Sequence, residues 1–271
     1  MRENLLTFFY FINKLYQDRS VIWTMVLRDL KSRYIGSLFG FFWSIIDPLF
    51  LVFIYWVVFG LFFNSKPDPV YGTDSFIIFL LSGILPWQFF SQSVIGSTGV
   101  ILSNRNLIKK SVGFPSEILP LIKILTNVIS HFVGILILIF LIGIDSGLPP
   151  LFPVFLFYMG LTVILAMGMG WILSSINVYL RDMQQMVGLL MMGWFFFTPI
   201  FYSPARVPEA IMPFYKLNPM YHIVTGYRYA LLTGTFLPVF DMLYITVLSV
   251  VLFGSGGILF RKLKPGFAEV L

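Results

Sequence analysis

Cysteine is absent from the 271-residue chain, and charge is scarce: Asp, Glu, Lys and Arg together supply 11% of it. The first absence excludes disulfides and thiolate metal sites without fixing a compartment. The second excludes an ordinary soluble domain, in which roughly a quarter of the residues are charged. At 58% hydrophobic residues and a mean hydropathy of +0.88, there is too little polar surface to coat a water-soluble globule. Catalytic motifs are missing as well. There is no G-x-x-x-x-G-K-[ST] phosphate loop, no H-E-x-x-H and no G-x-S-x-G. The two histidines, His131 and His222, are too few for a histidine metal cluster, and the carboxylates are scattered rather than paired. No catalytic or metal-ligating residue is therefore assigned. The net charge of +6 is not massed as a nucleic-acid face would need.

What the chain does have is apolar runs, near 38–63, 75–100, 118–144, 151–175, 185–203 and 239–260. About twenty apolar residues cross a bilayer core as a helix. Barrel strands would look weaker and more interrupted, so the expected fold class is all-α integral membrane with six transmembrane helices. Residues 1–36 are expected as a cytoplasmic N-terminus, 37–260 as the six-span domain and 261–271 as a cytoplasmic tail. The N-terminal segment carries Lys14, Arg19, Arg28, Lys31 and Arg33 and lacks the clean apolar core of a cleavable signal. Thirteen Lys and Arg fall on the side of the two termini, against Lys66, Arg206, Lys216 and Arg228 on the other. The positive-inside rule then places both termini in the cytoplasm, in agreement with an even number of spans.

Four interruptions of this apolar pattern carry the functional reading. In residues 20–35, Trp23, Val26, Leu27, Leu30 and Tyr34 share one helical face, opposite Arg28, Asp29, Lys31, Ser32 and Arg33, which predicts an amphipathic helix along the inner leaflet. The third run bears a polar stripe, Lys123, Asn127, Ser130 or His131, and Gly134, at three- and four-residue steps. Such a stripe turns from lipid, towards either a water-filled path or a helix partner. The fifth run ends in an aromatic series, Trp194, Phe195, Phe196, Phe197, Phe201 and Tyr202. Such rings pack against lipid or core, and can also stack on the apolar faces of sugars. Residues 204–238 are broken by Pro204, Pro208, Pro213, Pro219 and Pro238, yet Met220–Leu232 is apolar. This segment reads as a re-entrant outer hairpin placed to gate, with Tyr221, His222, Tyr227 and Arg228 on it. The Asp47-Pro48 step in the first run reads as structural, near the cytoplasmic boundary.

Six segments in order resemble the membrane subunits of ABC transporters of the type-2 polysaccharide exporter group. They are RDLKSRYIGSLFGFFWSIIDPL (Arg28–Leu49), FLLSGILPWQFF (Phe79–Phe90), NRNLIKKSVGFPSEILPL (Asn104–Leu121), INVYLRD (Ile176–Asp182), LNPMYHIVTGYRYALL (Leu217–Leu232) and FRKLKPGFAEVL (Phe260–Leu271). The resemblance implies a permease of the bacterial cytoplasmic membrane that pairs with itself as a homodimer. It further implies two copies of a separate ATPase subunit, which would bind the ATP and Mg that this chain does not. The expected cargo is lipid-linked polysaccharide, O antigen first because the tail looks closest to that subgroup, with capsular polysaccharide or teichoic acid as alternatives. The loop 103–117 would couple to the ATPase through Arg105, Asn106, Lys109, Lys110 and Glu117. Trp194, Phe196, Phe197, Phe201 and Tyr202 would line the channel. A small-lipid or drug permease, an envelope acyl- or glycosyltransferase and an assembly subunit are the rival readings. A catalytic carboxylate or histidine cluster would favour the transferase, and none is visible.

Overall fold

The computed structural model describes residues 17–34, 40–110, 114–149 and 151–271. Among them there are helices and turns and no strand. The first helix, α1 (Arg19–Tyr34), buries Ile22 and Val26 along the start of α5. α2 (Trp43–Tyr55) continues in wider turns over Trp56–Phe62. α3 (Phe76–Thr98) leads through a short turn to α4 (Arg105–Lys110). α5 (Ile118–Asp145), α6 (Phe155–Tyr179), α7 (Met183–Phe196), α8 (Pro219–Arg228) and α9 (Val239–Leu263) are the other α-helices of more than four residues among those described.

Four segments are long and apolar enough to cross a membrane: Phe76–Thr98, Ile118–Asp145, Phe152–Tyr179 and Val239–Gly266. The chain is thus a multi-pass membrane protein. α7, with 14 residues, rises about 21 Å at 1.5 Å per residue, short of a bilayer core of about 30 Å. The apolar part of α2 is likewise shorter, Leu49–Phe62. α3, α5 and α6 alternate in direction, whereas α9 runs parallel to α6, with Tyr179 against Leu263 at their C-terminal ends, so the loops gather at two ends. At one end Lys123 meets Asp29 and Lys264 meets Glu117. At the other, Thr73 donates to Asp145 (3.2 Å) and Ser203 to Asp68.

Small residues set the closest crossing. A Cβ at Gly168 of α6 would lie 2.5 Å from the Leu252 carbonyl of α9, and one at Gly256 would collide with the Gly168 carbonyl. Lipid supplies no hydrophobic drive between helices, so such backbone proximity is what lets dispersion forces act. α3 sits at the centre, and most of its residues are buried. Pro86 within α3 removes one backbone donor mid-helix.

On α1, Trp23 and Leu27 are exposed while Val26 is buried, and Asp29, expected on the polar side, pairs with Lys123 of α5 as well as with Arg33 one turn further along α1. The periodicity located the helix correctly. On the side packed against α5, Ile22 and Val26 are accompanied by the Asp29 ion pair, whose partner lies 94 residues away in sequence.

Candidate functional site

The segment after α7 is held by Arg228, the last residue of α8, whose side chain is wholly buried. Its Nη1 donates to the Pro199 carbonyl (2.6 Å), and Nη2 to the carbonyls of Ile200 (2.6 Å) and Phe79 (3.3 Å). The guanidinium lies 3.7 Å over the Phe79 ring. Among the described residues no carboxylate pairs with it; backbone dipoles and a ring face carry the charge instead. Gly83 makes room, because a Cβ there would stand 2.7 Å from Nη2. One side chain thus fastens α8 to α3 and to the chain leaving α7.

The rest of α8 is equally enclosed. Every residue from Met220 to Arg228 is buried, including Tyr221, His222 and Tyr227. His222 Nε2 donates to the Lys216 carbonyl (2.7 Å), and Nδ1 is 3.6 Å from Asp241. The four residues expected on an outer gate, Tyr221, His222, Tyr227 and Arg228, therefore all lie in the packed body of α8. Asn218 starts the helix: its Oδ1 accepts from Met220 N (2.9 Å) and from Trp194 Nε1 (2.7 Å), while Nδ2 donates to Phe197 O (2.9 Å). The cap of one helix and the end of another share a single side chain.

The polar stripe of α5 faces protein. Lys123 pairs with Asp29, Asn127 Nδ2 donates to Ser93 Oγ (3.1 Å), and His131 Nε2 lies 3.0 Å from the Tyr227 hydroxyl. Three partners on three different helices account for three stripe residues. Interhelical hydrogen bonding, one of the two readings left open by the spacing, is what these contacts provide.

The aromatic series divides in two. Phe201 is buried and stacks on Phe59 (4.8 Å between centroids, 8° between planes), with Tyr55 and Phe195 around it. It joins α2 to α7 and is not a free surface. Phe196 and Phe197 are exposed, at 55% and 69%, and Trp194 and Tyr202 are half-buried. The Tyr202 hydroxyl donates to Phe196 O (2.9 Å) and adjoins that of Tyr215. Burial pushes the Tyr215 hydroxyl well above the usual phenol range, so it remains a neutral donor.

At the opposite end, Arg105, Asn106 and Lys109 are exposed on α4, and the Lys110 side chain lies outside the described residues. Glu117 behaves differently. It is buried, its carboxylate meets Lys264, and its carbonyl accepts from Trp171 Nε1 (3.1 Å). Expected as part of a docking face, it instead ties this loop to α6 and to the C-terminal tail.

A family model described as ABC-2 type transporter matches residues 20–232. The chain belongs to this family. Its relatives include the O-antigen export system permease protein RfbA of Myxococcus xanthus, 31% identical over 95% of this chain and 98% of that protein. The permease of the same name from Klebsiella pneumoniae is 31% identical over 90% and 92%. The polysialic acid transport protein KpsM of Escherichia coli is 25% identical over 88% and 91%.

As an ABC-2 permease the chain is a transport subunit and not itself catalytic. Sequence reasoning about this ABC-2 chain missed Asn218, although the Asn-Pro pair is a helix-start signal, a cap followed by proline in the first turn. It also missed Asp29 and Lys264, for which no local signal exists: both are surface-type residues drawn inward by distant partners.

Proposed function

We propose that this chain is the membrane subunit of an ATP-driven exporter carrying lipid-linked polysaccharide, O antigen foremost, across the bacterial cytoplasmic membrane. The observation that carries this reading is end-to-end similarity to permeases named for O-antigen export, at higher identity than to those named for polysialic acid or capsule. In this reading α2 and α7 span the membrane with the four longer helices, giving six spans with both termini cytoplasmic. The basic ends of the chain support that orientation.

Two copies would enclose a channel between their α2 and α7 helices, and a separate ATPase would bind ATP and Mg. Its closure would press on α4, where Arg105, Asn106 and Lys109 are exposed. The Glu117–Lys264 pair and the Trp171 bond make the loop continuous with α6 and α9, so a push at the loop moves packed helices as a body. α8, dipping back as a re-entrant hairpin fastened by Arg228, would follow α7 and α3 and open the outer end. The glycan would then slide along Phe196, Phe197 and Tyr202.

Deleting the gene tests the reading. The undecorated cell should accumulate the lipid-linked glycan inside, and the identity of that glycan separates O antigen from capsular polysaccharide and teichoic acid. Full export after Phe196→Ala, Phe197→Ala and Tyr202→Ala combined would rule out the aromatic track.

A further inference from the structure

The polar side chains of α3 fall into two sets. Ser82, Ser93, Ser97 and Thr98 are buried and satisfied, by the carbonyls of Phe79, Pro120 and Val94 and by Asn127. Gln88, Ser91 and Gln92, in the middle of the same helix, find no hydrogen-bond partner among the described residues. Their spacing of three and four puts them on one face. That face opens into a groove of about 410 Å³ between α2, α3 and α7, with Tyr55, Phe195 and Phe196 on its other walls.

Two unpaired carboxamides at mid-membrane depth are expensive against hydrocarbon, so the groove they line is one that receives polar matter. No charged side chain is among the described residues lining it, which disfavours a phosphate or a lipid headgroup. A carboxamide both donates and accepts, as does a serine hydroxyl, and this suits the mixed donors and acceptors of vicinal sugar hydroxyls. Aromatic rings beside them suit the apolar face of the same sugar ring.

We propose that Gln88, Ser91 and Gln92 form a hydrogen-bonding rung that takes the uncharged hydroxyls of a polysaccharide while the α2 and α7 rings flank the sugar. The inference rests on the export reading above and deepens it by locating a glycan contact on α3. Neutral hydrogen bonds have a small net worth in exchange for water, so the rung orients a passing chain without trapping it.

The test uses the complete transporter in its own cells. Gln88→Leu with Gln92→Leu should lower surface polysaccharide about tenfold, the scale of one or two lost hydrogen bonds, at parental membrane abundance. Asn at both positions should restore part of it. Because the chain has no cysteine, Gln92→Cys places a single thiol in the groove. N-ethylmaleimide should label it more slowly in cells that make the glycan than in cells lacking the first glycosyltransferase of its synthesis. If the leucine variant fails to accumulate, this labelling decides. Undiminished export, or equal labelling in the two cells, would overturn the rung. So would a loss of cross-linking between two copies in the leucine variant, which would make this face a contact between subunits. Should gene deletion leave the surface glycan intact, the export reading itself fails; deletion that blocks export beside a fully active leucine variant sinks the rung alone.

Discussion

α3 and α7 are neighbours with contrasting surfaces. α3 buries 17 of its 23 residues, and its interior serines and threonines are hydrogen-bonded. α7 buries Val187, Met191 and Phe195 alone, a single line at steps of four, and leaves Leu189, Leu190 and Met192 more than 60% exposed. The difference separates scaffold from working surface. A helix packed on most of its circumference positions others and offers only a narrow face, here that of Gln88, Ser91 and Gln92, whereas one held by a single stripe can meet lipid, a second copy or a cargo along most of its surface, and can rotate with modest loss of contact.

Arg228→Leu should break the comparison most severely, because it detaches the chain leaving α7 from α3. Three carbonyls in protein interior lose a charged donor, a destabilisation on the order of 3 kcal/mol or more. The expected readout is a sharp fall in melting temperature and in membrane abundance. Gly168→Val attacks the scaffold alone. Forcing α6 from α9 should cost about 1–3 kcal/mol, and detergent melting would register it. An unchanged melting point would mean that the crossing is looser than its backbone separation indicates.

Asn218→Ala removes the cap shared by α7 and α8. A loss of about 1 kcal/mol is expected, with faster hydrogen exchange confined to the segment between the two helices. The smallest effect sharpens the contrast. Leu189→Ala, on the open face of α7, should alter stability by no more than about 0.5 kcal/mol. The same truncation at Leu80 of α3, which is fully buried, should cost about 2–5 kcal/mol. Equal effects at the two positions would erase the distinction.

Much of this was legible beforehand. The positions of α3, α5, α6 and α9 follow from run length, because the bilayer demands a continuous apolar helix and little else competes. The stripe Lys123, Asn127 and His131 was visible by its spacing, and each of the three meets a protein partner. Its partners were not, since Asp29, Ser93 and Tyr227 lie far off in sequence and carry no mark that pairs them. Glu117 illustrates the same limit. In a basic loop it reads as an exposed partner for a docking protein, and Lys264, 147 residues on, draws it inward.

By itself the sequence determined that the chain lives in a membrane, where its long helices lie and where the pattern breaks, because these depend on local hydropathy and on proline. Only the tertiary structure decided which face each helix presents. It paired Asp29 of α1 with Lys123, sank Phe201 into the α2–α7 contact while leaving Phe196 and Phe197 outside, and placed Arg228 in the notch at Gly83. Those outcomes depend on which groups meet across the bundle, and a buried polar group takes the partner that packing brings within reach.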